Sequence, residues 1–150
     1  MIQLPPKYYK YLSLQNKVIA IVGPIGAGKS TLGPAVVGYL QRCGIAAKFI
    51  PEDINWVFLK KSNEKPLKFK FPFQLNTLQR RGNTHRAAIA DAKTGMVVVE
   101  DRDPIADIGF AETHRTWRVD GKVCIDEEQF ALYLSEVEAM ALPESDLMIR

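Results

Sequence analysis

Apolar and polar positions alternate along the chain in short blocks, and each block predicts one element. Val18-Ile19-Ala20-Ile21-Val22 is a continuous apolar run, rich in β-branched residues and closed by Gly23. A run without polar alternation predicts a strand covered on both faces, as in parallel sheets. From Ser30 to about Cys43 the pattern turns helical, and Gly44 is placed to end that helix in the left-handed conformation. Ala46 to Ile50 reads as a second strand stopped by Pro51, and Ile54 to about Lys61 as a short helix. Lys60 to Lys70, with Pro66 inside it, reads as a solvated basic connector. A long helix is expected from about Phe73 to Lys93, stopped by Gly95 and weakened at Gly82 by ~1 kcal/mol relative to alanine.

Met96 to Glu100 predicts a third buried strand, and Pro104 suits the first turn of a following helix. Val119-Asp120-Gly121-Lys122 reads as a turn between short extended pieces. Asp126 is a good N-cap, with Glu127 and Glu128 on the positive end of the helix it opens. Phe130, Tyr133, Leu134, Val137 and Ala141 recur at helical spacing and form one apolar face. Leu147-Met148-Ile149 predicts a fourth strand. Strands alternating with helices define an α/β fold, a parallel sheet of about four strands flanked by helices. At 150 residues the chain is expected to form one domain.

Composition narrows the function classes. Hydrophobic residues make up 47% and charged residues 25%, which excludes a disordered or collagen-like chain. No apolar run approaches the ~18 residues that cross a bilayer. A formal charge of +3, spread along the chain, does not by itself call for a nucleic-acid or membrane partner. Cys43 and Cys124 have no short-range partner and read as buried thiols in a reducing compartment. His85 and His114 belong to no recognisable metal-binding pattern. The first seventeen residues, MIQLPPKYYKYLSLQNK, lack the apolar core of a secretory signal, so a cytoplasmic location is expected.

The strongest chemical signal is Gly23-Pro24-Ile25-Gly26-Ala27-Gly28-Lys29-Ser30, followed by Thr31. It fits G-x-x-x-x-G-K-[ST] in full and sits between a predicted strand and a predicted helix. Glycines let successive backbone N–H groups converge on an anion, and the helix start adds its positive dipole end. Lys29 is expected to reach the β- and γ-phosphates of a nucleoside triphosphate, and the Ser30 hydroxyl to hold Mg²⁺. Further chemistry clusters near the carboxyl ends of the strands, where α/β sheets place ligands. Glu52, Asp53 and Trp56 follow the second strand, and Asp101, Arg102, Asp103 and Asp107 follow the third. On the long helix Arg81 stands seven residues after Gln74, which puts both on one face.

This combination resembles the deoxynucleoside kinase family. The resemblance runs from GPIGAGKST through PED-INW and FPFQ with its downstream arginine to VVVEDRDPIAD-IGFAE and PESDLMI. It implies a three-layer P-loop kinase fold that uses ATP and Mg²⁺ to phosphorylate the 5′-hydroxyl of a deoxynucleoside. By the same resemblance, Glu52 is the general base, Arg102 neutralises phosphate charge, and Asp101 joins Ser30 at the metal. Gln74 reads the nucleobase, Arg81 and Asp107 form the second pair at the base pocket, and Trp56, Phe73 and Phe110 supply its aromatic walls. Lys29 and Glu52 are then expected to reach the same phosphorus atom.

The sequence departs from the family pattern in places. Trp56 lies four residues after Glu52 instead of five, and Asp103 replaces a serine. The tyrosine that holds the sugar 3′-hydroxyl is missing from the connector. Family members continue past the fourth strand into an arginine-rich lid, so a fragment and a naturally lidless relative are both open readings. Two rivals stay open as well: a nucleoside monophosphate kinase of thymidylate kinase type, kept alive by Arg80, Arg81 and Arg86, and a non-catalytic nucleotide-binding or scaffold relative. The expected partner is a small nucleoside, with no nucleic acid, no membrane and a homodimer left open. Plainer roles also stand: Glu52 as a helix cap, Gln74 and Arg81 as solvated helix residues, and Asp101 with Arg102 as an ion pair.

Overall fold

The computed structural model describes residues 17–149. In chain order they form β1 (Val18–Ile21), α1 (Lys29–Arg42), β2 (Ala47–Ile50), α2 (Trp56–Glu64), α3 (Pro66–Ala92) and β3 (Val97–Asp101). Then come α4 (Ala106–Thr116), β4 (Arg118–Val119), β5 (Lys122–Val123), α5 (Glu127–Met140) and β6 (Leu147–Ile149). They group into two compact units. One comprises residues up to Pro51, Ala87–Asp101 and the chain from Ser145 onward; the other comprises Glu52–Arg86 and Arg102–Glu144.

The first unit is built on a parallel sheet of order β2-β3-β1-β6. Ile19 of the central β1 stands opposite Val99 on one side and Leu147 on the other. All of Val18–Ile21 and Val97–Val99 is buried, because helices cover both faces. Ile19, Ile21, Val97 and Val99 pack on Val37 and Leu40 of α1. Val18 and Val98 turn the opposite way, onto Ala88 and Ala92 in the last turns of α3. Three layers result, as the sequence implied. An ideal Cβ at Gly33 of α1 would lie 2.1 Å from the Phe49 ring, so a glycine is what lets this helix lie against β2. Gly44 (φ 78°) ends α1 in the left-handed conformation. Cys43, read as buried, is instead exposed, because it is the C-cap at the rim of α1.

In the second unit Leu78 of α3, Ala111 of α4 and Tyr133 of α5 are buried together, joined by Phe71, Leu75, Ile108, Phe130, Leu134 and Val137. Gly82 has a packing reason: a Cβ there would sit 3.0 Å from Met140 Sδ. Helix α5 opens with a capping box in which Asp126 Oδ1 accepts from the Gln129 amide at 2.8 Å, and Gln129 Oε1 accepts from the Asp126 amide. The turn between β4 and β5 has Asp120 and Gly121 at φ 50° and 75°, the pair of positive angles that a tight hairpin requires.

The basic connector is the main correction here. Most of Lys60–Lys70 is helical: α2 runs to Glu64 and α3 begins at Pro66, seven residues before Phe73. Proline at a first helical position forfeits no hydrogen bond, so Pro66 starts this helix inside the stretch read as a connector. Nor is Lys70 solvated. It is 4% exposed, its ammonium donates to Asn63 Oδ1 at 2.6 Å, and it lies 5.2 Å from the centroid of the Trp117 ring. Among the described residues, no helix is long and apolar enough to cross a membrane. The N-terminal segment read for a signal lies, but for Lys17, outside the described residues.

Candidate functional site

In the first unit the loop after β1 passes through Gly26 and Gly28, both at φ 81°. Side chains rarely adopt that angle, and it is what lets the backbone curl. The Ala27 amide donates to Pro24 O at 3.3 Å across the loop, and the Lys29 ammonium donates to the same carbonyl at 2.8 Å. Lys29 opens α1 and is 7% exposed, folded over the loop it serves. The first amides of α1 have no intrahelical acceptor and form an anion-binding end. Ser30 is exposed on that first turn. Asp101, the last residue of β3, is buried, and its Oδ1 has no hydrogen-bond partner among the described residues. An exposed hydroxyl at a phosphate loop and a buried carboxylate oxygen lacking a donor form a donor set that suits Mg²⁺.

In the second unit Gln74, Arg81, Glu52, Arg102 and Asp107 converge. The Arg81 guanidinium spans two carboxylates: Nη1 pairs with Asp107 Oδ1 and Nη2 with Glu52 Oε1. Arg102 Nε lies 3.3 Å from that same Glu52 oxygen, without hydrogen-bond alignment. Its guanidinium stacks on the Phe110 ring at 4.5 Å. Gln74 Nε2 donates weakly to the Asp107 carbonyl at 3.4 Å. All but Glu52 are nearly closed to solvent; its side chain keeps 19% exposure. Each arrives by local geometry. Gln74 and Arg81 share the inner face of α3, Asp107 lies in the first turn of α4, and Glu52 follows β2 by two residues.

Arg102 departs from ordinary backbone, with φ 75°. A bulky residue in the left-handed region costs about 1–3 kcal/mol, and such strain gathers at sites with a task. Asp103, in place of the family's serine, has Oδ1 accept from the Ile105 amide at 2.8 Å, a turn bond that a serine hydroxyl also makes.

The cluster holds two arginines and two carboxylates in a dry place. Burial raises the Asp107 carboxyl to about 6, against the pull of Arg81 and Arg102 and with a further push from Glu52. Its Oδ2 has no hydrogen-bond partner among the described residues, and neither do Arg81 Nε, Thr77 Oγ1 and the Tyr133 hydroxyl. Buried polar atoms are nearly always paired, so these unpaired ones need a reason.

Other expectations fare differently. Glu52 does not cap α2, whose N-cap is Asn55, with Oδ1 accepting from the Phe58 amide at 3.0 Å. Gln74 and Arg81 are buried, not solvated. Phe73 is buried edge-on against Phe58, with ring centroids 5.8 Å apart. Trp56 stands apart at 69% exposure. Arg80 pairs with Asp53, a contact the sequence did not flag. Tyr133 was read only as part of an apolar helix face; nothing in periodicity marks a hydroxyl aimed at a polar cluster.

A three-layer parallel sheet with this loop after its first strand defines a P-loop kinase fold. The deoxynucleoside kinase family model matches residues 19–149, and the chain belongs to that family. Two solved structures illustrate the fold, both of a deoxyadenosine kinase from M. mycoides. One, with the products dCMP and a flexible dCDP bound, shares 22% identity at TM-score 0.64 and covers 87% of this chain. The other, with bound dATP, shares 19% identity at TM-score 0.65 and covers 88% of this chain. This chain spans 62% of the length of each. No curated protein matches.

Proposed function

We propose that the chain transfers the γ-phosphoryl group of ATP to the 5′-hydroxyl of a deoxynucleoside. The carrying observation is the incomplete polar cluster of the second unit, in which Asp107 Oδ2 is buried and ready to accept from a ligand. The phosphate loop of the first unit supplies the triphosphate end, and family membership supports reading the two as parts of one reaction.

Lys29 and the amides that open α1 hold the β- and γ-phosphates. Ser30 and Asp101 are the residues that would hold Mg²⁺, which when bound neutralises phosphate charge. Glu52 is the carboxylate that accepts the 5′-hydroxyl proton, oriented by Arg81 and Arg102. Gln74, Arg81 and Asp107 read the base, with Phe73 and Phe110 as apolar walls. Trp56 is left without a role. Catalysis is then mostly positioning and charge neutralisation.

A monophosphate kinase needs free arginines for the acceptor phosphate. Arg81 is tied to Glu52 and Asp107, and Arg80 to Asp53, which favours an uncharged acceptor.

The test is incubation with ATP, Mg²⁺ and each deoxynucleoside or its monophosphate, beside Lys29→Ala and Glu52→Gln. Deoxynucleosides should give product, Lys29→Ala should abolish it, and Glu52→Gln should slow it about 10²–10⁴-fold. Product from monophosphates alone would replace this reading with the second kinase class. ATP binding without turnover on any acceptor would replace it with a nucleotide-binding scaffold.

A further inference from the structure

Tyr133 belongs to α5, and its side chain is fully buried in the core that α5 forms with Leu78 and Ala111. Apolar neighbours explain the ring. They do not explain the hydroxyl, which has no hydrogen-bond partner among the described residues. A phenylalanine would fill the same space without a stranded polar atom, and a buried unmade hydrogen bond is a net cost to the fold. The surroundings of that oxygen point elsewhere. The Gln74 carboxamide lies beside it on the side of its N–H donor, short of hydrogen-bond alignment, and Asp107 and Arg81 are close enough to act on it electrostatically. Burial, with Asp107 adding to it and the Gln74 amide and Arg81 opposing, pushes the phenol well above its usual range, so it stays protonated and neutral.

Gln74 is held by little. Its one hydrogen bond among the described residues is the long donation from Nε2 to the Asp107 carbonyl at 3.4 Å. An amide that reads a base must offer N–H and C=O together, in a fixed order, and the two ends are easily exchanged by rotation. We infer that Tyr133 is a positioning residue of the acceptor site: its phenol oxygen accepts from Gln74 Nε2 when a nucleoside is bound, fixing which end of the amide faces the base. Oε1 and the second N–H of the amide then meet the ligand. This rests on the deoxynucleoside reading of the same cluster.

The experiment measures deoxynucleoside affinity by calorimetry on the full chain with Tyr133→Phe, Gln74→Ala and the double variant, alongside thermal unfolding. Tyr133→Phe should weaken the best-bound deoxynucleoside about threefold to tenfold, the worth of one hydrogen bond. In the Gln74→Ala background the same change should have no further effect, because the hydroxyl acts through that amide. The unliganded variant should melt no lower than the parent, and up to about 2–4 °C higher, because a stranded hydroxyl has been removed. A purely structural tyrosine gives the reverse pattern, with a lower melting temperature and unchanged affinity, and that result overturns the inference. Equal losses in the Gln74 and Gln74→Ala backgrounds overturn it as well. If the parent chain binds no deoxynucleoside at all, the functional reading itself fails, an outcome separate from a parent that binds and a variant that binds equally well.

Discussion

Asp107 gives the structure a pH signature that can be worked through to a number. Its carboxyl titrates at about 6 when folded, against an ordinary value of 3.8. The folded state therefore holds this proton more tightly than the unfolded chain does. Protonated in both states, the group costs nothing; ionised in both, it costs the folded state about 3 kcal/mol, from ~1.4 kcal/mol for each tenfold difference in proton affinity. That cost appears as pH rises from about 4 to about 6 and is constant above. Asp107→Asn removes the ionisation while keeping the shape and one oxygen acceptor. It also takes one carboxylate from Arg81, which keeps Glu52 as a partner. The measurement is urea unfolding of parent and variant at a series of pH values across that window. The difference between them should shift by about 3 kcal/mol in favour of the asparagine variant as pH rises, and acceptor binding should be lost throughout. A flat difference would show that Asp107 titrates like a surface carboxylate. A shift in the opposite sense would show that Arg81 overcomes burial. Either refutes the reasoning.

His114 should act in the opposite sense over nearly the same window. Burial, with Lys70 adding to it, lowers its pKa to about 4, so the unfolded chain takes up a proton that the folded state refuses. Its contribution to stability is therefore gained as pH rises from about 4 to about 6.5, and His114→Gln should lose that contribution relative to the parent in the same unfolding series; a parent–variant difference that does not change with pH would refute it. On the sheet side, Gly33→Ala should destabilise the chain by about 1–3 kcal/mol through overpacking on Phe49, with Phe49→Leu restoring most of the loss; a neutral Gly33→Ala would show that the ring moves aside freely.

The sheet was legible because its code is local. Four apolar residues in a row at Val18–Ile21 and three at Val97–Val99 need cover on both faces, and an alternating α/β chain has one economical way to supply it. Ends marked by Gly44, Gly95 and Asp126 were legible for the same reason, since each answers a backbone requirement within a turn. The start of α3 was not. Pro66 and a run of lysines look alike in a connector and in the first turns of a helix, and only tertiary burial of Lys70 against Asn63 and Trp117 decides between them. At the site, Gln74, Arg81, Glu52 and Asp107 were picked out as chemistry-bearing residues, but their sharing of one guanidinium across residues 26 and 29 positions apart was not in the spacing. The Tyr133 hydroxyl was hidden by its ring, because periodicity weighs the apolar body and ignores the polar tip.

What sets this cluster apart from an ordinary buried ion pair is the balance of its costs. Two carboxylates and two arginines taken out of water are not a gain in stability unless every remaining donor and acceptor is met, and apolar residues of like volume often serve a fold better. Here they are not all met: Asp107 Oδ2, Arg81 Nε and the Tyr133 hydroxyl are without partners among the described residues, and Arg102 holds a left-handed backbone beside them. Each shortfall lowers the stability of the unliganded chain, and each is of a kind that a bound polar ligand can reverse. A site made to close on itself would have paired Asp107 twice. One that leaves its acceptor open, near an amide able to donate and accept, suits a molecule carrying its own donors, as the proposed function requires. The proposed acceptor site is therefore best tested by asking which deoxynucleoside raises the melting temperature, since a ligand that completes these hydrogen bonds must also stabilise the fold that lacks them.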